Sequence, residues 1–95
     1  MNIAFLHTHH SIRPWAPVEL LVVADDRTIR AEIDWWTLER VIDTSPLNEE
    51  VVRDFLSRNR EALEVLISAQ LYAQGIPLSH HLRLTVEELR RLASP

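Results

Sequence analysis

The stretch from Ser45 to Gly75 constrains the fold most. At about 100° per residue, Val52, Phe55, Asn59, Ala62, Leu63, Leu66, Ala69, Gln70 and Ala73 fall in one stripe, and Arg53, Ser57, Arg60, Glu61, Glu64 and Ser68 lie opposite. The spacing predicts one long amphipathic helix whose stripe must be buried by the rest of the chain. Ser45 is placed to cap it and Pro46 to occupy its first position, where a missing N–H costs nothing. Glu49 and Glu50 then sit near the positive end of the helix dipole. Gly75 is the expected left-handed terminator, and Pro77 stops any continuation.

What precedes that helix reads as a strand meander. Asn2 to Thr8 is a short apolar run, and His9 to Pro17, punctuated by Pro14 and Pro17, is expected to be loop. Val18 to Ala24 is rich in strand-forming residues, and Thr28 to Ile33 alternates with Ile29, Ala31 and Ile33 on one face and Thr28, Arg30 and Glu32 on the other. Asp25-Asp26 between them fits a two-residue turn, a weaker one than Asp-Gly because neither residue takes positive φ as easily as glycine. Asp34 is placed to cap a short helix over Trp35 to Ile42 with its carboxylate. After Gly75, His80 to Leu84 reads as a last strand, and Thr85-Val86-Glu87-Glu88 is a capping box opening a final helix through Leu89 and Leu92.

The expected architecture is therefore a single α+β domain over residues 1–95. A small antiparallel sheet, a three-strand meander plus a C-terminal strand, packs on a short and a long helix, with a short C-terminal helix at the end. Two helices, out and back, would bring the last strand in antiparallel to the third.

The hairpin Val18-Glu19-Leu20 to Ile29-Arg30-Ala31-Glu32-Ile33 carries a family resemblance. So do the helix opening at Asp34 with Leu38, the run Phe55-Leu56-Ser57-Arg58-Asn59-Arg60, and the closing strand Leu82 to Thr85. In order and spacing the chain resembles a set of small proteobacterial proteins grouped as domain-of-unknown-function family number 1488. It departs from their pattern at Asp26, where a turn glycine is usual, at Asp34, where Ser is commoner, and at Ala31, where Cys is frequent. The resemblance implies a small α+β fold and no activity.

Composition narrows the function classes. A net charge of −4 argues against nucleic acid, whose binders are normally basic. No apolar run approaches the roughly 18 residues of a membrane span, and no secretory signal pattern is present, so a cytoplasmic protein is expected. Cysteine is absent, which excludes disulfides and thiolate metal sites. The single glycine excludes Gly-rich phosphate loops and a Gly-x-Ser-x-Gly nucleophile elbow. No cofactor is implied.

The remaining candidates are few. His7, His9 and His10 form one histidine cluster and His80 and His81 another; together they could hold zinc or a similar metal, although solvated loop histidines are the plainer reading. The carboxylate pairs Asp25-Asp26, Glu49-Glu50 and Glu87-Glu88 each have a local explanation as a turn or a helix start. Asn59 interrupts the apolar stripe, and a buried amide needs partners. A structural hydrogen bond to the sheet or the short helix is expected there, with Asn59→Ala costing roughly 1–3 kcal/mol. Trp15 and Trp36 are large aromatics off the predicted core faces.

One helical layer can cover only one face of the sheet, so Leu21 and Val23 are expected to form a leftover apolar patch. A homodimer, or a complex with another protein, is expected to bury that patch. Leu21, Val23, Trp36, Leu89 and Leu92 are the candidate interface residues, with the closing helix as a possible cover. The chain thus reads as a noncatalytic, self-associating interaction module, with a small-ligand or metal-binding protein using the histidines as the alternative.

Overall fold

The computed structural model describes residues 1–6, 12–44 and 46–93. Its elements run β1 (Ile3–Phe5), β2 (Val18–Ala24), β3 (Arg27–Ile33), α1 (Trp35–Ile42), α2 (Glu49–Arg58), α3 (Arg60–Gln74), β4 (His81–Arg83) and α4 (Val86–Ala93). The strands form one sheet in the order β1-β2-β3-β4, with the helices packed on one face. This is the α+β architecture that the sequence predicts.

The meander is held by ordinary strand chemistry. β2 and β3 pair antiparallel over their whole length, from Val18 opposite Ile33 to Ala24 opposite Arg27. Asp25 and Asp26 close the hairpin as its two-residue turn, both at positive φ (48° and 66°). The Asp25 carboxylate also accepts from the Asn2 amide at 2.9 Å, and the Asp25 amide donates to the Asn2 carbonyl at 3.0 Å, which ties the start of β1 to the turn. Because side chains alternate across a strand, Val18, Val22, Ala24, Ile29, Ala31, Ile33 and Leu82 all reach the same face. They are buried there with Leu38, Val52, Phe55, Leu63, Ile67, Leu71 and Leu89 from the helices. Burying a side chain of this size contributes about 1.5–3 kcal/mol.

The predicted long helix is broken at Asn59, which adopts φ −106°, ψ 15°. Bonds of helical spacing persist on either side, from the Asn59 amide to the Phe55 carbonyl at 3.1 Å and from the Leu63 amide to the Asn59 carbonyl at 2.8 Å, and the buried stripe crosses the junction. Val52 and Phe55 are buried as expected. Beyond the break the buried residues are Leu63, Ile67 and Leu71, whereas Ala69 and Ala73 are exposed. The start differs too. Asn48 caps α2, its side chain accepting from the Val51 amide at 2.9 Å, and Pro46 precedes the helix; Ser45, the expected cap, lies outside the described residues. Asp34 stands at the N-cap position of α1, but its carboxylate makes no cap bond. It faces Arg83 on β4 at 3.9 Å. The capping box at α4 forms as predicted: the Glu88 amide donates to Thr85 Oγ1 at 3.2 Å, and the Thr85 amide donates to Glu88 Oε1 at 3.1 Å.

The direction of the last strand is corrected as well. β4 runs parallel to β3, with Ala31 opposite Leu82, so the sheet is mixed rather than wholly antiparallel. Near the end of α3, the Tyr72 hydroxyl donates to the Met1 carbonyl at 2.9 Å. That places the end of α3 beside the start of β1, at the sheet end where β2 finishes and β3 begins. Three helical segments, not two, connect β3 to β4, and the chain enters β4 from the end at which β3 starts. Parallel neighbours require such a crossover.

Two substitutions test this backbone. Gly75 ends α3 at φ 78°, ψ 179°, a region that essentially only glycine occupies. A methyl group there would meet nothing within 4 Å, so Gly75→Ala should cost about 1–3 kcal/mol through backbone strain alone. Asp26→Gly should stabilise the hairpin by up to about 1 kcal/mol, since glycine removes the left-handed penalty that Asp26 carries. Denaturant midpoints at constant m value read both.

Candidate functional site

The sheet has a second face, and its residues follow from the pleat. Ala4, Glu19, Leu21, Val23, Thr28, Arg30, Glu32, His81 and Arg83 alternate with the buried set, and none of them is buried. Ala4 lies opposite Val23 across β1 and β2; Leu21 lies opposite Arg30, and Val23 opposite Thr28, across β2 and β3. The apolar patch is therefore Ala4, Leu21 and Val23, bordered by Glu19 and Glu32 and by Arg30, Arg83 and His81. α4, the spare segment that might have covered this face, packs instead against α1 and α3 in the helical layer. Its Leu89 has no solvent exposure and Leu92 packs partly buried against the core, so both are engaged within the chain. Trp36 is 53% exposed on α1, with the Arg40 guanidinium 4.8 Å above its ring; it stands on the helical layer, not on the sheet face.

A second feature lies at the β1–β2 edge. β1 is three residues long and pairs only with Val22 to Ala24. Leu20 therefore keeps partial exposure on the core face, between buried Val18 and Val22. Across from it stand the facing sides of α2 and α3. Among the described residues they leave an open cavity of about 410 Å³ whose floor includes Phe5, Ile12, Val18, Leu20, Leu56, Leu63 and Ile67. Arg53, Ser57, Arg60 and Glu64 are its polar lining, and Leu6 and Leu21 stand where it meets the outer face of the sheet. Sequence reasoning missed this groove because it depends on where β1 stops pairing along β2, which no local pattern encodes. The available signal was Arg53, Leu56, Arg60, Leu63 and Ile67, which recur at helical spacing beside the main stripe.

Of the five histidines, His80 and His81 are described, and His7, His9 and His10 lie outside the described residues. β1, which leads toward them, and β4, which carries His81, are at opposite edges of the sheet with two strands between. His81 Nε2 contacts the carboxylate of Glu32 across β3 and β4, and His80 is exposed at φ 54°. Among the described residues, no group of three or more His, Asp or Glu side chains could hold a metal ion.

The polar residues of the helix junction are used locally. Asn59 is half-buried, and its Nδ2 donates to the Phe55 carbonyl at 2.9 Å, which also receives the Asn59 amide at 3.1 Å. The amide side chain closes the end of α2 rather than reaching the sheet or α1. On either side, Arg58 donates from Nε to Asp54 at 2.8 Å and Arg60 pairs with Glu64 at 3.6 Å. The hydrogen bond and charge of Asp54 raise the Arg58 pKa above the ordinary arginine value. Trp15, 76% exposed, sits at φ 68° with its ring centroid 6.4 Å from that of buried Trp35.

No family model, curated protein or solved structure matches the chain.

The local role of Asn59 changes the outcome expected of its removal. Asn59→Ala loses one half-exposed hydrogen bond, worth about 1 kcal/mol, and gains the better helix propensity of alanine, roughly 0.5 kcal/mol. A midpoint shift equivalent to less than about 1 kcal/mol, with helical circular dichroism unchanged or higher, is expected.

Proposed function

We propose that the chain is a noncatalytic module that self-associates through the outer face of its sheet. One observation carries this reading: Leu21 and Val23, on the longest strands of the sheet, stand on a face that none of the described helices covers. Apolar area left open on a sheet face is normally an interface. The patch is bordered by both signs of charge. A second copy related by a two-fold axis can set Glu19 or Glu32 of one chain against Arg30 or Arg83 of the other, as a self-complementary interface requires.

The carboxylate pairs support a structural rather than a catalytic use. Asp25 and Asp26 make the hairpin turn, Glu49 and Glu50 occupy the first turn of α2, and Glu88 closes the capping box of α4. With α4 engaged in the helical layer, a sheet-to-sheet dimer is favoured over one in which a partner's closing helix covers the patch. The resemblance to domain-of-unknown-function family 1488 is proposed on the residues given above and adds no activity.

Sedimentation equilibrium tests the proposal. The wild-type chain should reach twice its own mass as concentration rises. A variant carrying Leu21→Glu and Val23→Lys should remain monomeric at every concentration, with the same far-ultraviolet spectrum and a cooperative melt. A wild-type chain that stays monomeric at millimolar concentration would remove the proposal.

A further inference from the structure

The groove at the β1–β2 edge is a separate surface with its own chemistry. Its floor is aliphatic and aromatic, built from Phe5, Leu20, Leu56 and Leu63. Its charged residues are two arginines, Arg53 and Arg60, and one glutamate, Glu64, in a chain whose net charge is −4. Its volume, about 410 Å³, falls within the roughly 300–1,000 Å³ of small-molecule sites, which are also mostly apolar with a few polar groups that fix orientation.

We infer that this groove binds a medium-chain alkyl carboxylate, such as a free fatty acid, with its tail along the floor and its head at Arg53 and Arg60. The division of the lining selects the class. A fully apolar ligand would gain nothing from the guanidinium groups at the rim, and a small polar anion would leave the floor unfilled. An amphiphile with one anionic end matches both. Arg53 pairs with Glu49, and Arg60 with Glu64 at 3.6 Å, each one helical turn away and on the surface. Exposed pairs of this kind are weak, so exchanging a helix carboxylate for a ligand carboxylate at the same guanidinium costs little. Arginine suits the exchange because its planar fork accepts a carboxylate through two parallel hydrogen bonds.

The helical wall of the groove runs across the junction at Asn59: Arg53, Leu56, Arg60, Leu63, Glu64 and Ile67 recur at helical spacing and line one side of it. Beside Leu20, the segment of β1 is described as far as Leu6, whose amide donates to the Leu21 carbonyl at 3.0 Å. Leu21 borders both surfaces, but Val23 lies on the outer face and does not line the groove, so substitutions at Val23 separate ligand binding from self-association.

Titration of the protein with decanoate and, separately, with 1-decanol, followed by amide chemical shifts, tests the inference. Decanoate should bind saturably at one site, with the largest shifts at Leu20, Leu56 and Leu63. 1-Decanol should bind the same site roughly tenfold more weakly, a factor set by one charge-assisted contact. The variant with Arg53→Gln and Arg60→Gln should bring decanoate down to the affinity of 1-decanol. Leu56→Trp, which fills the floor, should abolish both, and Val23→Lys should leave decanoate binding intact. Overturning results are non-saturable shifts, shifts centred on Val23 and Thr28, or equal affinity of the wild-type protein for the two compounds. The wild-type titration decides these without any variant.

Discussion

Ile29, Ala31 and Ile33 lose all solvent contact on one face of β3, while Thr28 and Arg30, one residue away, remain exposed. This sidedness organises the whole chain. Leu63, Ile67 and Leu71 of α3 and Leu38 of α1 supply the apolar surface that the inner face requires, and Leu82, Leu84 and Leu89 extend the same core to the C-terminal segment. The hydrophobic gain lies on that single layer. Everything placed on the other face must be satisfied by water, by charge, or by another molecule.

Backbone directions follow from the same layer. α3 runs on the inner face toward the start of β1, where Tyr72 meets the Met1 carbonyl. β4 then runs beside β3 in the same direction. Five of the six described positive-φ residues sit at the reversals this path demands: Asp25 and Asp26 in the hairpin, Asp43 at the end of α1, Gly75 at the end of α3 and His80 at the entry to β4; Trp15 is the sixth. Asp and Gly are suited to such positions, because a short polar side chain or none reduces the left-handed penalty. The groove at the β1–β2 edge lies between the three-residue first strand and the facing sides of α2 and α3.

Much of this was legible in the sequence, and the legible parts share a cause. The hairpin, α1 and the capping box depend on signals within a few residues: period-two alternation, a tight turn, and reciprocal side-chain bonds between Thr85 and Glu88. The break at Asn59 was not legible, because the apolar residues on both sides fit one continuous stripe almost as well as two. Ala62, Ala69 and Ala73 satisfied that stripe numerically while contributing little area, and Leu63, Ile67 and Leu71 carried the burial. The direction of β4 was not legible either, since it depends on the end of the sheet to which α3 returns the chain. Asp34 shows a smaller version of the same limit. The residue type fitted a cap, but Arg83 on a strand 49 positions away lies within reach of its carboxylate, a contact no local pattern encodes. The outer-face residues Leu21 and Val23 were legible from alternation alone. The groove was not, because it depends on how far the first strand pairs along β2 and on which helical residues face that gap.

The central claim is that the outer face of the sheet becomes dry by self-association rather than by any segment of the same chain. Paramagnetic relaxation of methyl signals by a soluble, uncharged gadolinium chelate tests it most directly, because it reports exposure residue by residue in the unmodified protein. The account predicts strong relaxation of the Leu21 and Val23 methyls in dilute samples, falling as concentration rises, while Ile29 and Ile67 stay protected throughout. Strong relaxation of Leu21 and Val23 at every concentration, or protection of both at the lowest concentration where the chain is monomeric, would contradict it.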